Sequence, residues 1–185
     1  MPTKWGDFNI YAYSQNHDDA QPHLALVHTS TDFMKSIPVR IHSECITGDL
    51  FGSKKCDCGE QFTQSMGIIG SQGGIMIYLR QEGRGIGLIN KLEAYKLQEV
   101  GYDTIQANIH LGFEPDERDF AIAIEILLDL GVKMIDIITN NPDKIAAIDN
   151  SSIQLGSRIP VVIPSHAENK KYLKVKEDKM GHLLS

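Results

Sequence analysis

Gly74-Ile-Met-Ile-Tyr-Leu79, then Arg80-Gln-Glu-Gly-Arg-Gly-Ile-Gly87, then Leu88-Ile-Asn-Lys-Leu-Glu-Ala-Tyr-Lys-Leu-Gln-Glu-Val100 follow one another without a break. The first piece is a short apolar run with β-branched residues and predicts a strand over 74–79. The last piece sets Leu88, Leu92 and Tyr95 at i, i+4 and i+7, which predicts a helix over 87–100 with Gly101 as its stop. Between them Gly83, Gly85 and Gly87 punctuate a tight turn. Strand, turn and helix in that order are the repeating unit of an α/β layered domain.

The rest of the chain extends the pattern. Runs at 23–28 (HLALVH), 37–43 (IPVRIHS), 132–138 (VKMIDII) and 159–163 (IPVVI) predict further strands. Residues 116–130 open with acids, carry a broad apolar face and stop at Gly131, as a helix would. A shorter helix is expected from Pro142, after Asn140-Asn141. The N-terminal part has few helix signals and is expected to add antiparallel strands. The fold class that follows is α/β: one layered domain over residues 1–185, with a mixed, largely parallel sheet flanked by helices.

Composition narrows the function. The 185 residues are 42% hydrophobic and 23% charged, the proportions of an ordinary globular chain. No apolar run approaches the ~18 residues of a membrane span. The start, Met1-Pro-Thr-Lys-Trp-Gly-Asp7, lacks the apolar stretch of a signal peptide, so a cytoplasmic location is expected. The net charge of −6 argues against a nucleic-acid polymer as partner, because phosphate contacts leave a basic footprint. Residues 97–150 hold eleven acidic and three basic side chains, whereas Arg80 to Lys96 carries four basic against two acidic. A small basic island in an acidic protein suits a small anionic ligand, although a solvated helix face accounts for the charges equally well.

Three stretches could carry chemistry. Cys45, Cys56 and Cys58 are the chain's cysteines and fall within fourteen residues. Thiolates are soft anionic ligands for zinc, and three of them leave one position open for water. Buried free thiols are the plainer reading, but Ser53-Lys-Lys-Cys-Asp-Cys-Gly-Glu60 is polar throughout, unlike a core strand. His42 could complete a structural tetrahedron instead. The glycine-rich turn would let backbone N–H groups and Arg80 and Arg84 meet an anion. It is neither the dinucleotide fingerprint, which Leu88 breaks, nor a P-loop. The acid-rich 112–120 loop reads as a solvated helix start. Thr139-Asn-Asn-Pro-Asp-Lys144 follows a predicted buried strand, where ligands bind in open α/β sheets.

Taken together, Arg40-Ile-His-Ser-Glu-Cys-Ile-Thr-Gly-Asp49, Cys56-Asp-Cys-Gly59 and Leu79-Arg-Gln-Glu-Gly-Arg-Gly-Ile-Gly-Leu88 resemble GTP cyclohydrolase II of riboflavin biosynthesis. Asp116-Glu-Arg-Asp119, Thr139-Asn-Asn-Pro142 and Lys179-Met-Gly-His-Leu183 continue the resemblance, in the family's order. It implies a zinc enzyme that opens the imidazole ring of GTP, releases formate and pyrophosphate and leaves a diaminopyrimidinone ribosylamino 5′-phosphate. Carried over residue by residue, it makes Cys45, Cys56 and Cys58 ligands to one Zn²⁺ per chain. It places GTP at Arg40, Ile41, His42, Ser43, Glu44, Gln61, Glu82, Gly83, Arg84, Thr104, Thr139 and Lys144, with Mg²⁺ on the triphosphate. Asp116 falls on the family's proton acceptor, Arg118 on its assigned nucleophile, and Tyr95 on a tyrosine facing the reacting base. A homodimer is implied as well. Some relatives carry a fused dihydroxybutanone-phosphate synthase domain, for which 185 residues leave no room.

One implied role conflicts with elementary chemistry. A guanidinium with a pKa above ~12 is a poor nucleophile, so a clamp on the phosphoryl group is the easier role for Arg118. The imidazole of His182 is an alternative nucleophile. For guanine over adenine, Arg80, Gln81 and Glu82 are the nearest candidates, Glu82 first because a carboxylate accepts from N1 and N2. A non-catalytic nucleotide-binding relative and one that stops at the formamide are the competing readings; intact Tyr95, Asp116 and Arg118 speak against the first, and Tyr95 against the second.

Overall fold

The computed structural model describes residues 1–183. Among them lie strands β1 (Pro2–Thr3), β2 (Gly6–Tyr13), β3 (His23–His28), β4 (Ile37–Ser43), β5 (Ile75–Leu79), β6 (Met134–Ile138) and β7 (Gln154–Ile159). The helices are α1 (Ile46–Asp49), α2 (Cys58–Gln72), α3 (Gly87–Glu99), α4 (Thr104–His110), α5 (Ala121–Asp129), α6 (Pro142–Asp149) and α7 (Lys170–Met180). The strands form one mixed sheet in the order β1-β2-β3-β5-β4-β6-β7. The N-terminal strands pair antiparallel up to β3 with β5, as expected; β5, β4, β6 and β7 run parallel to one another.

Both faces of the central strands are covered, so they read as continuous apolar runs. Along β5 the two-residue period sends Ile75, Ile77 and Leu79 into one cluster with Ile124, Ile126 and Leu127 of α5, and Met76 into the opposite cluster with Met66 and Ile69 of α2. Truncating a fully buried member such as Leu127 to Ala would cost about 2–5 kcal/mol. The parallel strands β4, β5 and β6 thereby end side by side, and their carboxyl ends carry the chemistry-bearing loops.

Two expected elements move, and the helix expected over 87–100 stands at Gly87–Glu99 with a different face buried. The helix expected over 116–130 begins at Ala121: Asp116 accepts from the Arg118 amide at 3.1 Å and Asp119 from the Ala121 amide at 2.8 Å, so the acids shape a loop and a helix entry. The strand expected over 159–163 lies at Gln154–Ile159 instead. Pro160 has no N–H to continue the ladder, and Val161 bonds with the Asn140 side chain. On α3, Leu88 and Leu92 of the predicted apolar stripe are exposed, whereas Lys91 and Ala94 are buried. No helix among the described residues is long and apolar enough to cross a membrane.

Candidate active site

From the end of β4 the chain passes through Glu44 to Cys45 at the start of α1, then through a loop bearing Cys56 to Cys58, the first residue of α2. The three sulfurs lie within 4.8 Å of one another, those of Cys45 and Cys56 3.7 Å apart. Gly48 permits the gathering: a Cβ there would stand 3.0 Å from the Cys56 sulfur and 3.2 Å from that of Cys45. Asp49 braces the loop. Its carboxylate accepts from the Cys45 amide and the Tyr78 hydroxyl, both at 3.0 Å, and pairs with His42 Nε2 at 3.0 Å. His42 is thus the partner of Asp49, and among the described residues no histidine or carboxylate joins the thiol cluster. A fourth ligand from His42 is excluded in this arrangement.

The Lys91 ammonium stands 3.1 Å from the Cys45 sulfur. Hydrogen bonds from the Cys56 and Cys58 thiols, with the Lys91 charge behind them, hold the Cys45 thiol far below its usual range. The same contacts to Cys45, together with burial, push Cys56 and Cys58 up. Only a cation among the sulfurs would let all three be thiolates at once, and soft, convergent, largely buried sulfurs fit a metal ion of zinc's type.

A cavity opens beside the cluster, lined by Cys45, Cys56, Cys58, Ser43, Glu44, Glu82, Gly83, Arg84, Tyr95, Thr104 and Arg118, all expected from the sequence. The glycine-rich turn forms its roof. Arg84 there has φ 66, the one positive-φ non-glycine among the described residues, a conformation that costs roughly 1 kcal/mol or more. Gly85 meets the 116–118 loop so closely that a Cβ would lie 2.9 Å from the Glu117 backbone. The Glu117 amide donates to the Arg84 carbonyl at 3.0 Å, which sets Arg84 beside Arg118. Glu82 is already engaged, accepting from the Ile46 amide at 2.6 Å, the Gly83 amide at 2.8 Å and Lys91 at 2.7 Å. Arg80 pairs with Glu44 at 2.6 Å. The unsatisfied groups are others: Gln81 Oε1 and Asn108 Nδ2 line this cavity buried and without a partner. Tyr95 OH lies 3.4 Å from Thr47 Oγ1, and burial raises its pKa.

A second cavity shares Ser43, Cys58, Arg84, Arg118 and Tyr172 with the first. Arg40, Lys144, Lys176 and His182 add to its wall, and among the described residues no carboxylate lines it. The Arg84 guanidinium nitrogens NH1 and NH2 are buried here without a partner. Arg40 is lowered to about 10 by burial, and Lys144, whose Nζ donates to the Ile41 carbonyl at 2.8 Å, is lowered well below the usual lysine range by burial and by the Arg40 and Arg118 charges. A polyanion is the natural complement of such a pocket. Gln61, His42 and Thr139 line it as well. Ile41 does not reach either cavity: its side chain is fully buried in the core and only its carbonyl serves Lys144. Asp116 acts through Arg118, which donates to it from Nε at 2.8 Å and from NH2.

A thiol cluster, a cavity with free amide edges and an adjoining cationic pocket agree with what sequence comparison finds. The family model for GTP cyclohydrolase II matches residues 1–160. The chain belongs to that family. The riboflavin biosynthesis protein RibBA of Bacillus subtilis (strain 168) is 50% identical over 186 residues, covering 100% of this chain and 46% of the relative. RibBA of Bacillus cereus (strain G9842) is 48% identical, covering 100% and 47%. RibBA of Cytophaga hutchinsonii is 47% identical over 185 residues, covering 100% and 45%. The chain spans about half the length of the curated relatives it matches.

Against this family membership, the residues that sequence reasoning missed are Lys91, Asn108, Tyr172 and Lys176. A lysine or asparagine inside a helix reads as a solvent-facing residue, and only the folded chain turns Lys91 toward Cys45 and Asn108 toward the cavity. Tyr172 and Lys176 lie beyond residue 160, outside the matched range.

Proposed function

We propose that this protein hydrolyses GTP, opening the imidazole ring of guanine and releasing formate and pyrophosphate to give 2,5-diamino-6-(5-phosphoribosylamino)pyrimidin-4(3H)-one, the first committed step of riboflavin biosynthesis. Residues 1–185 act in this reading as one cytoplasmic domain, paired as a homodimer. The observation that carries it is the continuity of the two cavities: the thiols open onto one with free amide edges, and Arg84 and Arg118 lead from it into a pocket lined by cations alone among its charged residues. A purine nucleoside triphosphate has these parts in this order.

Cys45, Cys56 and Cys58 hold one Zn²⁺, which when bound supplies an acidified water and a Lewis acid for attack on C8. Tyr95, kept as a neutral phenol by burial, donates a hydrogen bond to the reacting ring. Arg40, Arg84, Lys144 and Mg²⁺ share the triphosphate charge. Arg118, oriented by Asp116, clamps the phosphoryl group under attack. Gln61 and Thr139 position the phosphate chain, Thr104 the nucleoside. The exposed Leu88, Ile89 and Leu92 on α3 support a partner subunit.

Incubation with GTP, Mg²⁺ and zinc, followed by assay of formate, pyrophosphate and the aminopyrimidine, tests the reading. All three products are expected, with none from Cys56→Ser. Binding of GTP without formate, from protein shown to contain metal, would overturn it; so would accumulation of the formamide.

A further inference from the structure

We infer that α7 and the turn after it form a wall of the substrate site, with Tyr172 standing between the base half and the polyphosphate half and Lys176 and His182 contacting the polyphosphate. The inference rests on the reading of the site as one for a nucleoside triphosphate.

The segment is polar: Lys170-Lys-Tyr-Leu-Lys-Val-Lys-Glu-Asp-Lys-Met180 has one strongly buried apolar side chain, Leu173. Apolar burial alone does not explain why such a helix docks. Among its described side chains the other buried one is a lysine, Lys176, and the ties to Asp57, Asp103 and Asn140 run to loops that shape the site. Lys176 Nζ donates to Asp57 Oδ1 at 2.7 Å, both groups being over nine-tenths buried. Asp57 stands between Cys56 and Cys58, and its other oxygen accepts from Gln61, which in turn accepts from Arg40. Lys179 pairs at 2.6 Å with Asp103, the cap of α4, which carries Thr104 and Asn108. The Leu183 amide donates to the Asn140 carbonyl at 2.9 Å, beside Thr139. The helix is therefore fastened to the metal loop, the base wall and the phosphate loop at once.

Its inward side chains face both cavities. Tyr172 lines the two, with the Arg84 guanidinium 5.9 Å and the Lys176 ammonium 4.5 Å from its ring centre. A ring with two cations beside it at the junction of the cavities is placed to pack against the sugar. Lys176 and His182 line only the cationic pocket. Lys176 keeps two ammonium protons beyond the one given to Asp57, enough to donate to phosphate oxygens.

Calorimetric titration with two probes, inorganic triphosphate and guanosine, separates these contacts from mere packing. On the wild type both are expected to bind. Lys176→Ala should weaken triphosphate about tenfold or more, the scale of one charge-assisted hydrogen bond, and leave guanosine nearly unchanged. Lys176→Arg should restore most of the loss. Tyr172→Ala should weaken both probes. If both variants bind both probes as the wild type does, or if Lys176→Ala weakens both probes equally, α7 is a structural strap and the inference fails. A wild type that binds triphosphate through Lys176 but releases no formate from GTP would overturn the proposed reaction and leave the wall standing.

Discussion

Lys91 and Glu82, nine residues apart, form a buried ion pair of 2.7 Å, and the same ammonium reaches the Cys45 sulfur at 3.1 Å and Thr47 Oγ1 at 2.9 Å. One side chain on α3 thereby fixes a thiol of the cysteine cluster and the carboxylate under the glycine-rich turn. Groups that hydrogen-bond a metal ligand commonly set its orientation, at 10- to 100-fold in affinity.

Lys91→Met keeps the stem that packs under Gly83 and removes the charge. It should weaken zinc retention about 10- to 100-fold in competition with a chelator, the scale of a lost outer contact. It should also raise KM for GTP, because Glu82 loses its cation and the turn loosens. Unchanged zinc affinity and KM in this variant would mean that the pair is a bystander.

In the proposed reading, base recognition falls to residues other than Glu82. Glu82 spends its oxygens on the Ile46 and Gly83 amides and Lys91, whereas the amides of Gln81 and Asn108 keep buried atoms without partners in the same cavity. An amide offers both a donor for O6 and an acceptor for N1–H and N2–H. Asn108→Leu is expected to lower kcat/KM for GTP by about 10²-fold or more and to narrow the preference over ATP. Retention of the full GTP/ATP ratio in steady-state assays would return the role to Glu82.

The elements that sequence made legible are those whose periodicity is undiluted. His23–His28 and Ile37–Ser43 stand at their expected bounds, and α6 starts at Pro142 because Asn141 caps it, accepting from the Asp143 amide at 2.8 Å. Helix α2 escaped because three glycines and several polar residues in fifteen positions break up its apolar face, and α7 because seven charged residues hide Leu173. Strand β7 escaped because Gly156 and Ser157 dilute an edge strand. In the site, the cysteines were readable as chemically singular residues. Lys91, Asn108 and Lys176 were not, since their meaning arises only when helices distant in sequence bring them to Cys45, the base cavity and Asp57.

Proton movement should accompany polyphosphate binding. Burial, with the Lys176, Arg118 and Lys144 charges, pushes His182 down to about 3, and burial with the neighbouring cations lowers Lys144. A polyanion in the pocket opposes both shifts, so binding near pH 7 should take up protons. Calorimetry of inorganic triphosphate in buffers of differing ionisation enthalpy should show that uptake, and His182→Gln should reduce it. The same depression fixes the sign for stability. Between about 3 and the ordinary histidine value of 6.5 the unfolded chain binds the proton more readily, so the contribution is complete above 6.5 and is lost on acidification. Zero dependence on buffer, or proton release, would contradict the picture.

In the proposed reaction the fate of the phosphoryl group turns on Arg118. Burial disfavours its charge, but the two-point contact with Asp116 outweighs that and raises its pKa, while Asp116 is held below the usual carboxylate range. A guanidinium in that state has no lone pair to offer phosphorus, and a carboxylate so engaged is a weak proton acceptor. His182, held neutral in the same cavity, does have a lone pair. Arg118→Lys should keep partial pyrophosphate release, because the charge survives and only the planar fork is lost, whereas Arg118→Ala should abolish it. Tyr95→Phe should impair formate production and spare some pyrophosphate release, since C8 and the α-phosphorus are separate reacting centres and Tyr95 lines only the cavity beside the thiols. Rapid quenching with GTP and mapping of any phosphoramidate by mass spectrometry decides the rest. No adduct on Arg118 is expected; finding one there would overturn the clamp, and finding it on His182 would make the histidine the nucleophile with Arg118 as its electrostatic partner.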